Sequence, residues 1–413
     1  MTELSRFLKR IANTNPQIKA LSVKAYEDLL TMNYRLAVSR TLPDTKLVFF
    51  ESYLGRKYSC SPRAFYEAML QDPRYGKYRK IWAFTEPEKH RDLVKKDPDT
   101  VLVRYGSREY YRYLASAGYI ISNYGLPHGV RKRPGQVYVQ TWHGTPLKKI
   151  GCDVPRQNLS RQEREYTDRK YRAEGRQIDY MPSPSPFYSE TVKRAFRLGR
   201  QATLLEYGYP RNDSLFTARE EDIARIRKKL SIPEGKKIIL YAPTWRQEDH
   251  VAGEGYVYRP ALDFQALYNA LSGDALILFR THYFIRENLD LSAYKGFLLD
   301  VSDYDEVNEL YLISDLLITD YSSVFFDYAN LWRPILFYMY DYESYREEME
   351  DFYIGIDRLP GPVIKERRDI SEDIKELLDH FVPDEKYREF NRDFNPCNRP
   401  CAAEMLEEIF DGI

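Results

Sequence analysis

In the stretch QVYVQTWHGTP, residues 136–146, an alternating run delivers His143 to a break made by Gly144 and Pro146. Alternation through Val137 and Val139 predicts a strand, and the turn residues leave His143 at its carboxyl end. In open α/β sheets that end is where ligands sit. An imidazole titrating near neutrality suits removal of a proton from an attacking hydroxyl. The competing reading is a histidine that caps the turn or fills a gap against Trp142. His90, His128, His250 and His380 lie in more charged or less regular stretches and receive no role.

The second half of the chain ends several strand-like runs on polar groups. YAPTWR (241–246) closes on Thr244, Trp245 and Arg246, FRTHY (279–283) carries Arg280 and His282, and TDYSSVFFD (319–327) carries Asp320, Ser322 and Ser323. Guanidinium forks match phosphate oxygens, and hydroxyls at a helix start add to its free N–H groups, so the set reads as a phosphate site. Taken alone, the serines read as plain N-caps. Asp327 reads either as a solvated helix position or as a carboxylate accepting bonds from polyol hydroxyls.

Neither a GxxxxGK[ST] loop nor a GxGxxG fingerprint occurs. Asp303 and Asp305 match a short acidic metal motif in a charged loop, a match that three residues reach by chance. Cys397 and Cys401 lack a second pair or a neighbouring histidine, which argues against zinc. The expectation is no metal and no cofactor.

Elements must position these groups. KLVFFES (46–52), KIWAF (80–84), TVLVRYG (100–106), GYIISN (118–123) and QVYVQTWHG (136–144) read as strands, with helical stretches such as 61–71 and 107–117 between most of them. Ser61 reads as N-cap of the first of these, with Pro62 at its first helical position. Strand signals return at 180–185 and 204–210. A second series runs through 236–246, 275–283, 296–302, 316–322 and 334–339. Strands alternating with helices predict doubly wound parallel sheets.

A length of 413 residues is more than one ordinary core, so two α/β domains facing a cleft are expected. The expected divisions are a basic helical lead over 1–40, a first domain over 41–213, a second over 214–395 and a closing helix over 396–413, with a hinge near 211–217. The composition, 43% hydrophobic and 30% charged with no net charge, is that of a globular protein without a global field for nucleic acid. Four scattered cysteines suit a reducing cytoplasm, and no run has the length of a membrane span or the core of a signal peptide. The lead carries Arg6, Lys9, Arg10 and Lys19 with Phe7, Leu8, Ile11 and Ile18. It reads as a helix lying on an anionic membrane surface or as one packed on the domain.

Five motifs in unbroken order then resemble one family. WHGTPLKKIG (142–151), YGYPRND (207–213), YAPTWR, RTH (280–282) and TDYSSVFFDYA (319–329), preceded by FESYLGRKYSCSPRAFYEAM (50–69), resemble the CDP-glycerol glycerophosphotransferases of teichoic-acid and capsule synthesis. The resemblance implies two Rossmann-like lobes of the glycosyltransferase-B type, acceptor on the first and CDP-glycerol on the second. It implies attack by an acceptor hydroxyl on the β-phosphate with release of CMP. His143 would be the base, and His282 with Arg280 would contact the pyrophosphate. Ser322, Ser323 and Asp327 would bind the phosphate and glycerol end. Thr244, Trp245 and Arg246 would lie by the nucleotide, with Pro210 and Arg211 in the same cleft. Trp142, Gly144, Thr145, Pro146 and Thr281 complete the expected substrate-binding set.

The implied partners are CDP-glycerol or CDP-ribitol, an undecaprenyl-pyrophosphate-linked acceptor or poly(glycerol phosphate), and the inner face of the cell membrane. The short basic lead, in place of a large amino-terminal domain, and the ending NPCNRPCAAEMLEEIF leave donor identity and the primase or polymerase role open. A nucleotide-sugar glycosyltransferase and a non-catalytic polymer binder are the competing classes. Arg156, Arg161, Arg164, Arg169, Lys170, Arg172 and Arg176, with Lys193, Arg194, Arg197 and Arg200 downstream, read as a track for a polyanionic acceptor or as a solvated helical face. The sequence indicates no oligomeric state.

Overall fold

The computed structural model describes residues 28–155, 160–244, 250–251, 255–256, 261–281, 291–348, 351–397 and 399–411. Fifteen strands follow in chain order: β1 Asp44–Glu51, β2 Arg79–Phe84, β3 Val101–Arg104, β4 Ala117–Ser122, β5 Val137–Gln140, β6 Tyr180–Pro182, β7 Thr203–Leu205, β8 Lys237–Ala242, β9 His250–Val251, β10 Gly255–Tyr256, β11 Ala275–Phe279, β12 Leu298–Asp300, β13 Leu316–Thr319, β14 Ile335–Tyr338 and β15 Val363–Ile364. The first seven form one parallel sheet in the order β3-β2-β1-β4-β5-β6-β7. A second sheet runs β12-β11-β8-β13-β14-β15, all parallel, and β9 pairs with β10 apart from both.

Both sheets are doubly wound, which is why their strands read as unbroken apolar runs. β4 is buried at all six positions and β11 at all five, as strands covered on both faces must be. Phe49, Ile120, Tyr138 and Met181 face one core of the first lobe, and Val48, Phe50, Trp82 and Ile121 the other. Leu240 and Leu317 against Ile239 and Ile318 divide the second lobe in the same way. β1 and β4 approach closely at Gly118, where a Cβ would stand 2.6 Å from Thr45 Cα.

Two crossings join the lobes. The chain leaves β7 through YGYPRND and the helices Asp213–Thr217 and Glu220–Lys229 to enter β8. It returns after the helix Glu385–Phe394, and the last helix, Ala402–Asp411, packs Met405, Leu406, Ile409 and Phe410 into the first lobe's core. The Asp213 carboxylate accepts the N–H groups of Cys401 and Ala402, both at 2.9 Å, and so caps that helix from the other crossing.

The helix expected over 61–71 begins one residue earlier, at Cys60, with Ser59 rather than Ser61 as N-cap. Its free Cys60 N–H is taken by the Glu306 carboxylate of the second lobe at 3.0 Å, a long-range partner that no local pattern encodes. Within the basic lead, residues 28–38 form a helix that buries Tyr34 and Ala37 on the first lobe and leaves Leu29, Met32 and Leu36 exposed. The remainder of the lead, Phe7 to Ile18 included, lies outside the described residues. Among the described residues no helix is long and apolar enough to cross a membrane.

Candidate active site

Each sheet reverses its winding beside its first strand, between β1 and β4 and between β8 and β13. Crevices at such reversals, beyond the carboxyl ends of the strands, are the binding places of this architecture. The two crevices are built alike. At the first, the Asn123 side chain accepts the Tyr53 N–H at 2.8 Å; at the second, the Asp320 carboxylate accepts the Thr244 N–H at 2.8 Å.

His143 stands over the first crevice. Its Nδ1 lies 3.1 Å from the Asn123 carbonyl oxygen. A carbonyl can only accept, so Nδ1 carries the proton and Nε2 keeps its lone pair. Asn123 is fully buried and held in turn, its Nδ2 donating to Ser52 Oγ at 3.3 Å. The imidazole is walled by Trp142 at 4.1 Å, by Tyr124 stacked at 5.5 Å and by Tyr53 at 5.9 Å between ring centroids. Burial among these rings pushes its pKa down to about 4, with the Arg211 charge adding in the same direction against the Asn123 bond.

The backbone around this histidine is held in unfavourable conformations. Tyr53, Leu54, Cys60 and Trp142 all have left-handed φ, between 48° and 64°. Non-glycine residues adopt that region at a cost and are kept there by surrounding structure, commonly at ligand sites.

The WHGTP loop faces the second lobe. A Cβ on Gly144 would lie 2.8 Å from Ser323 Oγ, so the serine turn meets the histidine loop at close range. Thr145 is buried, its hydroxyl paired with Tyr209 OH at 3.3 Å, and Pro146 is buried beside it. Past Pro146 the loop runs alongside the second lobe: Tyr353 N–H donates to Leu147 O and Lys149 N–H to Asp351 O, both at 2.8 Å.

Arg211 and Asp327 find each other. Arg211 follows Pro210, which opens a single turn over Pro210–Asn212, and its guanidinium lies 3.9 Å over the Tyr209 ring. Its Nη2 and Nε donate to the Asp327 carboxylate at 2.9 and 3.2 Å, and Asn212 Nδ2 adds a bond at 2.8 Å. Asp327 is therefore neither a solvated helix position nor an open carboxylate. Arg211 is 5% exposed, yet its Nη1 has no hydrogen-bond partner. An unmatched buried donor is costly unless something else fills it.

Of the two readings of the serines, the capping one is not met. Ser323 precedes the helix Val324–Tyr328, but its side chain makes no capping bond and its backbone is already helical, so the N-cap role is not taken. Ser322 stands beside it, half-buried. At the end of β11, Arg280 turns Nη1 onto the carbonyls of Val301 and Tyr304 at 3.1 and 2.7 Å, and Thr281 N–H donates to Ser302 Oγ at 3.1 Å. Trp245, Arg246 and His282 lie outside the described residues. The structure thus gathers His143, Gly144, Arg211, Ser323 and Asp327 at one junction between the lobes. It adds Tyr53, Asn123 and Tyr124, which the sequence signalled only as strand ends in FESY and SNYG.

Residues 32–409 match the family described as CDP-Glycerol:Poly(glycerophosphate) glycerophosphotransferase. The chain belongs to that family. It is 38% identical over 382 residues to a teichoic acid poly(glycerol phosphate) polymerase of Bacillus spizizenii, covering 91% of this chain and 95% of the other. A teichoic acid glycerol-phosphate transferase of Staphylococcus aureus is 36% identical, covering 81% and 85%. Against the corresponding polymerase of Bacillus subtilis, 37% identical over 90% of this chain, it spans 48% of the relative's length. A solved structure of the wall teichoic acid polymerase TagF, a histidine variant soaked with CDPG, superposes with a TM-score of 0.83 at 33% identity over 100% of this chain and 98% of that one. The two-lobed α/β fold of glycosyltransferase-B type and the glycerophosphotransferase class stand on these likenesses together with the paired sheets.

Proposed function

We propose that the protein transfers glycerol phosphate from CDP-glycerol to a hydroxyl of a growing or membrane-linked acceptor, with His143 as general base. The acceptor oxygen bonds to the β-phosphorus, its proton passes to His143 Nε2, and the bond from the β-phosphorus to the bridging oxygen breaks as CMP leaves. One observation carries the reading. The Asn123 carbonyl fixes the imidazole with Nε2 unprotonated, in the loop that touches Ser323 of the facing lobe.

The charge on the transferred group falls to fixed cations and donors, as phosphoryl transfer requires. Arg211 Nη1, the hydroxyls of Ser322 and Ser323, and Arg280 serve the diphosphate and glycerol. Asp327 acts by aligning Arg211. Thr244, Trp245, Arg246, Thr281 and His282 belong to the donor side, and Trp142, Gly144, Thr145, Pro146 and Pro210 shape the cleft. Glycerol is favoured over ribitol because four glycerol relatives align over 80% or more of the chain at 36–39% identity and a glycerol-phosphate primase over 72% at 30%, while the ribitol polymerases align over 47–61% at 32–34%. The acceptor is poly(glycerol phosphate) or an undecaprenyl-pyrophosphate-linked primer, reached at the inner membrane face.

Incubation with CDP-glycerol or CDP-ribitol and short or primed acceptors, scoring CMP release and product length, tests the assignment. CDP-glycerol should give CMP and a ladder of products. Protection by a UDP-sugar without turnover of either CDP ester would replace it with a glycosyltransferase.

A further inference from the structure

The loop that leaves β1 is folded tightly enough to place one side chain across the cleft. Tyr53, Leu54 and Gly55 run through left-handed φ of 48°, 58° and 74°. Gly55 is pinned against β2, its carbonyl accepting Thr85 N–H at 2.6 Å, and a Cβ there would lie 3.2 Å from the Phe84 backbone. Three residues on, Tyr58 is anchored by a bond to Glu67 at 3.1 Å and by edge packing on Trp82. Lys57, between the two anchors, reaches the second lobe.

Its ammonium lies 3.4 Å from the Tyr304 carbonyl oxygen. Arg280 Nη1 donates to that same oxygen at 2.7 Å. Two cations from opposite lobes thus converge on one neutral acceptor. Neither forms an ion pair with a carboxylate among the described residues. The charged groups that face Lys57 are Arg280, Asp305 and Glu306. Asp305 is exposed, and Glu306 is spent on Cys60 N–H at 3.0 Å, Asn308 N–H at 3.3 Å and Arg63 at 3.8 Å. A half-buried pair of like charges is unfavourable unless an anion joins it.

We propose that Lys57 is the acceptor lobe's own contact to the diphosphate of the nucleotide donor, so that the anion site is split between the lobes by Lys57 and Arg280. The alternative, a latch that merely holds the lobes together, is poorly served by one 3.4 Å bond to a carbonyl that Arg280 already occupies. The inference rests on the donor assignment above and adds a residue to it. Its position gives it a signature. Burial first, and the Arg280 charge second, lower the Lys57 pKa to about 8, so the contact weakens as pH rises through that value and the ammonium is lost.

The test is calorimetric titration of CDP-glycerol, CMP and short poly(glycerol phosphate) into a turnover-suppressed His143→Ala protein, alone and with Lys57→Met or Lys57→Arg. Lys57→Met should weaken CDP-glycerol on the order of tenfold to a hundredfold, the worth of one charge-assisted contact, and reduce its preference over CMP. With Lys57 present, CDP-glycerol affinity should fall between pH 7 and pH 9. Lys57→Arg should restore binding at pH 7 and abolish that fall. Unchanged CDP-glycerol affinity in Lys57→Met, equal loss for CDP-glycerol and CMP, or loss confined to the poly(glycerol phosphate) arm would each overturn the proposal. Failure of the His143→Ala protein itself to bind CDP-glycerol would instead remove the donor assignment, and this inference with it.

Discussion

An unperturbed imidazole is half protonated near pH 6.5, which would disable a base over the acid side of neutrality. The proposed base, His143, escapes this because aromatic rings strip it of water while its only polar anchor among the described residues is a neutral carbonyl. With its pKa lowered to about 4, the neutral form fills the free protein throughout the range above about 5. The acid limb of kcat/KM for CDP-glycerol, which reports the free enzyme, should therefore lie well below 6.5. In kcat the limb should move upward, because a bound diphosphate beside the ring favours the imidazolium. Titrating both parameters between pH 4.5 and 8 checks this, and a kcat/KM limb at 6.5 would contradict the burial argument. His143→Ala should lose at least a hundredfold in kcat, the usual scale for a general base, while CDP-glycerol still binds. The same depression makes the unfolded chain bind more protons between about 4 and 6.5, so His143 favours folding above that window and ceases to do so as pH falls through it.

At the scale of elements, the helix Arg161–Gly175 is the clearest place to separate acceptor from donor. Ser160 and Glu163 close a capping box at its start, and most of its exposed side chains are charged, Gln162 and Tyr166 excepted. Arg161 is paired with Glu165 at 3.0 Å, whereas Arg169 and Arg172 are exposed and make no ion pair among the described residues. Exposed charges matter through their summed field more than through single contacts. Arg169→Glu with Arg172→Glu should raise the KM for a poly(glycerol phosphate) acceptor severalfold at low salt, converge with wild type as salt increases, and leave CDP-glycerol affinity unchanged. Equal losses for both substrates would refute the acceptor track. The elements also show which signals a sequence carries. Strands buried on both faces announce themselves by apolar runs, and β1 to β8 and β11 to β14 fall where runs such as KLVFFES, GYIISN and PILFYM predict them. β15, a two-residue strand at the sheet edge, is too short to leave a periodic signal. The placing of His143 past a strand end was legible because glycine and proline punctuate it. The contacts of Asn123 and Lys57 were not, because they depend on a carbonyl direction and on a partner 247 residues away.

For the whole molecule, what holds two lobes in register can be decided by magnitudes. Arg63 spans the junction, 3.2 Å from Glu309 and 3.8 Å from Glu306, while also pairing with Glu67 on its own helix at 3.0 Å. Its side chain and that of Glu309 are about one-fifth exposed, so Glu309→Gln should cost no more than about 1 kcal/mol, the range of partly solvated ion pairs. The closing helix works differently. Met405, Leu406 and Ile409 are fully buried in the first lobe, and Phe410 stacks on Tyr119 at 4.0 Å, although the chain reaches them only after completing the second lobe. Leu406→Ala removes buried methyl groups from a site walled by a rigid sheet and should cost about 2–5 kcal/mol. Denaturant unfolding followed by tryptophan fluorescence, with Trp82 in that same core, reads both variants. If the apolar strap dominates, Leu406→Ala lowers the midpoint severalfold more than Glu309→Gln and the first lobe loosens at lower denaturant than the second. If instead Glu309→Gln proves the more damaging, the lobes are held by charge at their junction, and the approach of the His143 loop to Ser323 depends on ionic strength.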